Sequence, residues 1–306
     1  MSEMPLVSVL IINWNTRVLL VEAIDSIYAT APAVPLEIIV VDNASSDGSC
    51  EYLAAHYHSV QLIRNTENVG FARANNQAAR AAGGKYLLLL NSDACMLPGA
   101  LSAMINLAES NPNLSAVGPQ LRNPDGSFQF SYADFPTLGR EFLVLSTLGR
   151  RIFGSHYPSH PEEEAQGPKK VDYVNGACML IPREVYLQVG GLPEQYFMYA
   201  EEVDFCYSIQ NGGGEVWYHP GARVMHHGSA SSQNRLPARE GDMYQSWVRF
   251  IRKSRGNLSA GLLKALIFCL TAAKILWHGF LRKVSRGKSG RPVISLPDLR
   301  ARLREV

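Results

Sequence analysis

The chain has 306 residues and a mass of 33.7 kDa, which at roughly 150 residues per domain allows one large α/β domain with an appendage. Hydrophobic residues make up 46% and charged residues 18%, with 25 Gly and 17 Pro, a balance that supports a packed core and excludes a mainly disordered or collagen-like chain. The net charge of +2 conceals a division: residues 1–234 carry 13 basic and 23 acidic side chains, net −10, whereas residues 235–306 carry 16 and 4, net +12. A basic C-terminal segment is either attracted to an anionic surface, phospholipid or nucleic acid, or is a solvated tail.

The N-terminus MSEMPLVSVLII has an early acid and reaches Asn13-Trp14-Asn15 too soon for a signal peptide, so a cytoplasmic start is expected. Apolar, β-branched runs at 6–12, 36–41, 60–63 and 86–90 read as buried strands, and helical stretches near 17–29, 49–57 and 71–82 separate them. Repeated βα units of this kind predict a mainly parallel sheet covered by helices on both faces. Such sheets place ligands beyond the carboxyl ends of their strands. There the sequence puts Asn13-Trp14-Asn15, residues 42–48, residues 64–70 and Asn91-Ser92-Asp93, four polar clusters in register with the strands and therefore one crevice. Neither GxGxxG after the first strand nor GxxxxGK[ST] occurs, so a bound nucleotide is held by another arrangement.

Further on, Asn123-Pro124-Asp125-Gly126 is a turn, and residues 154–170 read as an exposed excursion, a loop over a site or a plain insertion. A strand at 215–218 is expected to end at the turn His219-Pro220-Gly221 before the extended segment 224–229. Five cysteines, Cys50, Cys95, Cys178, Cys206 and Cys269, are odd in number and form no CxxC pair. They read as buried small hydrophobes rather than a disulfide framework or zinc site. Residues 257–280 are helix-prone and apolar, with only nine residues between Lys264 and Lys274, against about 20 for a span. Basic runs flank this segment, so a helix lying in or on a membrane surface is expected ahead of one packed on the α/β body or spanning the bilayer. The division expected is 1–235 for the α/β domain and 236–306 for a basic helical extension.

Several residues can carry chemistry. Asp93 follows a four-leucine run and can hold Mg²⁺ or Mn²⁺ against a diphosphate, or cap the next helix. Asp42 can accept a hydrogen bond from the imide N–H of uracil or thymine, or form an Asx turn. Arg73 can neutralise a phosphate or be solvated, and Asn75 and Asn76 suit buried loop backbone. Glu201, Glu202 and Asp204 repel one another, so one can have a raised pKa and act as a general base; all can equally complement a helix dipole. His226 and His227 on an extended segment face opposite ways, so one at most joins Asp93; the alternative is a satisfied structural histidine.

The ordered set VSVLIINWN, VDNASSDGS, RNTENVGFARANNQAAR, LLLLNSDACMLPGAL, VGPQLRNPDGS, VNGACMLIPREVYLQVGGLPEQYFMYAEEVDFCYSI and ARVMHHGSAS resembles an inverting family 2 glycosyltransferase of the GT-A fold, in the bacterial rhamnosyltransferase-like branch. That resemblance implies a mixed, mainly parallel central sheet in a Rossmann-like nucleotide-diphospho-sugar transferase. It implies that Asp42 reads the base and that Asn13, Asn15, Asn68, Arg73 and Ser92 hold the donor nucleotide. Asp93 matches the last acid of a DxD-like motif whose first position is Asn91. His226 matches the histidine near metal and diphosphate, with His227 second. Gly176 and Ala177 match the segment lining the sugar and acceptor pocket. Glu202 stands where the base usually does, with Asp204 the alternative.

The implied reaction is transfer of L-rhamnose from dTDP-β-L-rhamnose, aided by Mg²⁺ or Mn²⁺, to a polyprenyl-diphosphate-linked saccharide. Its place is the inner face of a bacterial plasma membrane, in cell-surface polysaccharide or cell-wall assembly, with an anionic membrane surface as partner. A UDP-hexose or UDP-GlcNAc donor is the alternative within the family. Outside it stands a non-catalytic carbohydrate- or nucleic-acid-binding protein, although no nucleic-acid module is recognisable.

Overall fold

The structure, a computed structural model, describes residues 4–31, 34–155, 157–161, 167–228, 236–284 and 296–304. In chain order the first half contains β1 (Val7–Asn13), α1 (Arg17–Thr30), β2 (Leu36–Asp42), α2 (Ser49–His56), β3 (Val60–Arg64), α3 (Phe71–Ala81), β4 (Tyr86–Asn91), β5 (Ala94–Met96), α4 (Ala100–Ser110), β6 (Leu114–Arg122) and β7 (Tyr132–Ala133). There follow α5 (Leu138–Leu145), α6 (Leu148–Phe153), β8 (Lys169–Lys170), β9 (Tyr173–Val174), β10 (Cys178–Pro182), α7 (Arg183–Val189), α8 (Glu201–Asn211), β11 (Glu215–His226), α9 (Leu236–Val284) and α10 (Leu296–Arg304). The α/β reading and the first seven elements match the sequence expectation to within a residue or two.

Two compact units form. The first comprises residues 1–135, 159–197 and 201–231; the second comprises 136–158, 198–200 and 232–306. In the first, a mixed sheet runs β3-β2-β1-β4-β10-β6-β11-β5, with β8 also paired to β11. β1 is buried along its whole length, as a parallel strand covered on both faces must be. β1 pairs in parallel with β2 and β4, and β2 with β3, while β10 is antiparallel to both β4 and β6. β6 therefore points the same way as β1, and so does its parallel neighbour β11. One sheet edge consequently collects the carboxyl ends Asn13, Asp42, Arg64, Asn91, Arg122 and His226, together with Gly176 and Ala177 at the entry to β10.

Three expectations need correction. His219-Pro220-Gly221 is no break: β11 continues through it with a register shift against β6 between His219 and Arg223, so a bulge absorbs the proline without ending the strand. The excursion at 154–170 is partly structured, since Ser159 is buried and bridges to Ala133 and Lys169–Lys170 pair with β11; residue 156 and the three glutamates at 162–164 lie outside the described residues. Four cysteines are buried and free as expected, but Cys269 is exposed.

The second unit is helical. α9 is interrupted at Gly256, whose φ of 83° and ψ of 173° are non-helical, leaving two arms. The first buries Val248, Phe250 and Ile251; the second buries Ala260, Leu263, Ile267 and Thr271, whose spacing defines one helical face. α5 and α10 pack against α9, with Leu299 and Leu303 of α10 buried.

Candidate active site

At the tips of β1 and β2, Asn13 Nδ2 donates to Asp42 Oδ2 at 2.7 Å and to Ser45 Oγ at 3.1 Å. Thr16 Oγ1 donates to Asn13 Oδ1 at 2.8 Å and lies 2.8 Å from Ser92 Oγ, so one buried network crosses from β2 to the end of β4. Asp42 Oδ1 also accepts from the Ser45 amide at 2.8 Å; the Asx turn is thus formed, and with the Cys50 thiol as a third partner the carboxylate still has room for one further donor. Asn15, at φ 54°, receives Ser46 N on its Oδ1 at 2.7 Å while its own amide donates to Ser45 Oγ at 2.9 Å, clamping the two loops together. Thr16 occupies the N-cap position of α1 without a capping side-chain bond, its hydroxyl being committed to the network. Sequence reading singled out neither Thr16 nor this use of it; Thr immediately before a helix signals only a cap.

Asn68 Oδ1 accepts from Gly70 N at 3.0 Å, and Phe71 N donates to Phe197 O at 3.0 Å. Gly70, at φ 87°, approaches so closely that a Cβ would lie 2.8 Å from Phe197 O, which requires glycine. The loop after β3 is thereby tied to the segment leading towards α8. Arg73 pairs with Glu194, Nε to Oε2 at 3.2 Å, and not with either strand-tip carboxylate. Hydrogen bonds from Asn76, then Arg73, hold Glu194 below its ordinary range. Asn76 also donates to Leu192 O at 2.8 Å, and Asn75 to Phe71 O at 3.0 Å, the backbone-satisfying work expected of them.

Asp93 Oδ1 lies 3.2 Å from His226 Nε2. Asp93 does not cap α4, whose N-cap is Gly99. Gln129 orients the ring: its Nε2 donates to Asn123 Oδ1 at 2.8 Å and His226 O at 3.0 Å, which leaves Oε1 to accept from His226 Nδ1 at 2.7 Å. In a neutral ring Nε2 then carries the lone pair. A lone pair facing a carboxylate oxygen calls for a cation between them, a proton or a metal ion. The amide of Asn91 turns its Nδ2 to His226 Nε2 at 3.4 Å, while its Oδ1 is buried without a hydrogen-bond partner. Among the described residues no third His, Cys, Asp or Glu joins this pair. The donor set therefore suits Mg²⁺ or Mn²⁺ only if ligand oxygens complete the shell, as phosphates do. His227 turns to the other side, its Nε2 3.8 Å from Glu22 Oε2. Gln129 follows no sequence signal and was found only through the folded contacts.

α8 opens with Glu201, Glu202 and Asp204 in its first turn, where they complement the helix dipole. The preceding Tyr199 and Ala200 have φ of 72° and 65°, a backbone that non-glycine residues adopt at some cost and mostly where the surroundings enforce it. Asp204 is fully buried and accepts from Tyr196 OH at 2.8 Å and, at 3.3 Å, from Ser208 Oγ. Glu201 and Glu202 each have a buried Oε2 without a partner. Burial pushes the Glu202 carboxyl up to about 7, and burial followed by the charge of Glu202 raises Glu201 well above its usual range. A Cβ on Gly176 would sit 3.3 Å from Glu202 Cβ, so glycine leaves the flank of Glu202 open. Ala177 O accepts the Asn91 amide at 2.9 Å, linking this segment to the Asp93–His226 end of the sheet. The first unit thus brings the buried Asp42 carboxylate, the Asp93–His226 pair and the Glu202 carboxyl to one edge of the sheet.

The profile described as Glycosyl transferase family 2 matches residues 8–190, and the chain belongs to that family. It is an inverting-type glycosyltransferase of the GT-A fold, moving a sugar from a nucleotide-sugar donor to a saccharide acceptor in polysaccharide assembly. It is 30% identical over 222 residues to the N-acetylglucosaminyl-diphospho-decaprenol L-rhamnosyltransferase of Mycobacterium tuberculosis, covering 67% of this chain and 70% of that protein. Rhamnosyltransferase WbbL of Escherichia coli K12 is 28% identical over 199 residues, 62% of this chain and 72% of its own length. The mannosyltransferase PcManGT of Pyrobaculum calidifontis, solved with GDP-Man and Mn²⁺, superposes with a TM-score of 0.57 over 99% of this chain and 86% of that one, at 19% identity. GalNAc-T7, solved with UDP, GalNAc and Mn²⁺, gives 0.59 over 82% of this chain at 16% identity, and the match spans 48% of its length. At these identities the structural likeness is one of fold.

Proposed function

We propose that the protein transfers L-rhamnose from dTDP-β-L-rhamnose, with inversion, to a saccharide carried on polyprenyl diphosphate, at the inner face of a bacterial plasma membrane. The observation that carries the chemistry is the Glu202 carboxyl: one oxygen without a partner, a pKa near 7, and an open flank at Gly176. The rhamnose reading draws on the two relatives whose names specify that sugar. Residues 1–235 form the catalytic part in this reading and 236–306 the extension.

Asp42, oriented by Asn13, accepts the imide N–H of the base, which thymine and uracil share. Asn15, Asn68, Arg73 and Ser92 belong to the loops that surround the nucleotide. Asp93 and His226 would hold Mg²⁺ or Mn²⁺, with Gln129 fixing the imidazole. That ion supplies neutralising charge to the departing diphosphate. An acceptor hydroxyl lies against Gly176 and Ala177, and Glu202 takes its proton as the oxygen bonds to the anomeric carbon. The bond from that carbon to the phosphate oxygen breaks on the opposite side, so the centre inverts in a single displacement. Asp204, held by Tyr196, positions the first turn of α8 rather than taking the proton.

The test is a screen of dTDP- and UDP-sugars by released nucleoside diphosphate, with and without chelator. dTDP-rhamnose is expected to lead by at least about tenfold, the discrimination that a few pocket contacts provide, and chelation to suppress release. A UDP-hexose or UDP-GlcNAc in first place would replace the donor assignment, and release unaffected by chelator would remove the metal role of Asp93 and His226.

A further inference from the structure

The second arm of α9 has two apolar faces, and the protein covers only one. Ala260, Leu263, Ile267 and Thr271 are buried. On the opposite side Leu258, Leu262, Ala265, Cys269 and Leu276 repeat at a spacing that keeps them in one stripe. That stripe is open: Leu258 is 79% exposed, Leu262 53%, Leu276 74% and the adjoining Trp277 60%. A soluble surface helix puts charged residues there, yet from 257 to 277 the only charged residues are Lys264 and Lys274, both half-buried beside the covered face. Burial, with Arg252 adding to it, lowers the Lys264 pKa.

What covers the stripe is indicated by charge. Exposed Arg252, Lys253 and Arg255 stand directly before Gly256, and LRKVSRGKSGR at 281–291 adds five basic residues and no acid. A second copy of this chain would bring two segments of net +12 together, which repulsion disfavours; a bilayer with anionic headgroups meets both the apolar stripe and its basic flanks. Gly241–Trp277 is long and apolar enough to cross a membrane. A crossing would nevertheless carry α10, packed on α9 and bearing Asp298, Arg300, Arg302 and Arg304, to hydrocarbon depth, which is prohibitive for that many charges.

We infer that the stripe Leu258–Leu262–Ala265–Cys269–Leu276 is a docking surface for an anionic lipid bilayer, on which the second arm of α9 lies in the plane of the interface. The inference deepens the proposed lipid-linked acceptor, on which its purpose rests, while its geometry rests on the second unit alone. Trp277 sits at headgroup level, where indole rings prefer to reside.

The full chain is mixed with vesicles of phosphatidylglycerol and phosphatidylethanolamine, or of phosphatidylcholine alone, at low salt. Binding is read by co-sedimentation and by quenching of Trp277 fluorescence with brominated lipid, assigned by Trp277→Phe. Anionic vesicles are expected to bind at least about tenfold more tightly than neutral ones, and alkaline carbonate to release the protein. The triple variant Leu258→Glu/Leu262→Glu/Leu276→Glu is expected to lose about tenfold or more of that binding while its circular dichroism and its donor hydrolysis in solution stay unchanged; Leu258→Ser/Leu276→Ser gives a milder loss in the same direction. Indifference of the parent to anionic vesicles, binding of the triple variant equal to the parent's, resistance to carbonate, or a parent dimer that the variant makes monomeric would each overturn the inference. Donor hydrolysis in solution tests the transferase reading separately, so the two can fail independently.

Discussion

Gln129 Oε1 lies 2.7 Å from His226 Nδ1, and this contact decides which ring nitrogen faces Asp93. Gln129 hydrogen-bonds Asn123 and His226, and in the proposed reaction it acts through the imidazole. Gln129→Leu removes the acceptor and frees the ring to turn and change tautomer. Such outer contacts are worth about 10- to 100-fold in metal affinity. Mn²⁺ affinity in the presence of a nucleoside diphosphate, followed by calorimetry, is expected to weaken by that factor in Gln129→Leu and to be unchanged in Glu202→Gln.

In the proposed reaction Glu202 works as a base only when ionised. Burial pushes its carboxyl up to about 7, so turnover is expected to rise with pH up to about 7 and to level above it. Glu202→Gln is expected to lower kcat by about 10²–10⁴ with nucleotide affinity preserved. Asp204→Ala is expected to differ in kind, costing about 1–3 kcal/mol of stability because the Tyr196 hydroxyl loses its buried acceptor. Denaturant titration alongside kcat separates the two roles.

In the second unit, Glu141 of α5 is buried, and desolvation pushes its carboxyl up to about 7 from an ordinary 4.5. A carboxyl raised in the fold binds its proton more tightly there than in the unfolded chain. Its stabilising contribution is therefore present below pH 4.5 and is lost as pH rises through about 7. Glu141→Gln keeps the shape without the ionisation. Relative to the parent, its stability is expected to improve between pH 5 and pH 8 by on the order of 2–3 kcal/mol at most, read as the difference in Tm at the two pH values.

Gly118 on β6 lies against Val174 of β9 so closely that an added Cβ would be 2.5 Å from Val174 Cβ. Gly118→Ala overpacks the core of the first unit and is expected to cost about 1–3 kcal/mol. Val174→Gly in the same chain removes the Cβ and both Cγ atoms that the added methyl would meet, so the double variant should recover part of the Gly118→Ala loss; strict additivity of the two effects would show that the contact is not the cause.

The strands β1, β2, β3 and β4, the helices between them and the polar clusters at their tips were legible in the chain. A seven-residue apolar run such as VSVLIIN carries its burial in its own composition, and the tips are simply what comes next. The basic extension and its apolar helix were legible for the same reason. Less local matters were not. Tyr196 donates to Asp204 and not to Glu202, and Gln129 lies beside His226 while Glu22 lies beside His227, contacts that no spacing in the chain announces. Arg73, able by its sequence context to neutralise a phosphate or be solvated, pairs with Glu194, 121 residues away.

By itself the sequence determined the βα order, the parallel run of β1 to β4 and the residue types gathered at its carboxyl edge, because strand and helix periods are written within windows of a few residues. Only the tertiary structure decided which of those side chains meet. Asn91 and His226 are 135 positions apart and come together because the chain reverses after β4 into β5, which pairs antiparallel with β11 and sets His226 opposite Ala94. That pairing is a property of strand order, and strand order has no local period from which to read it.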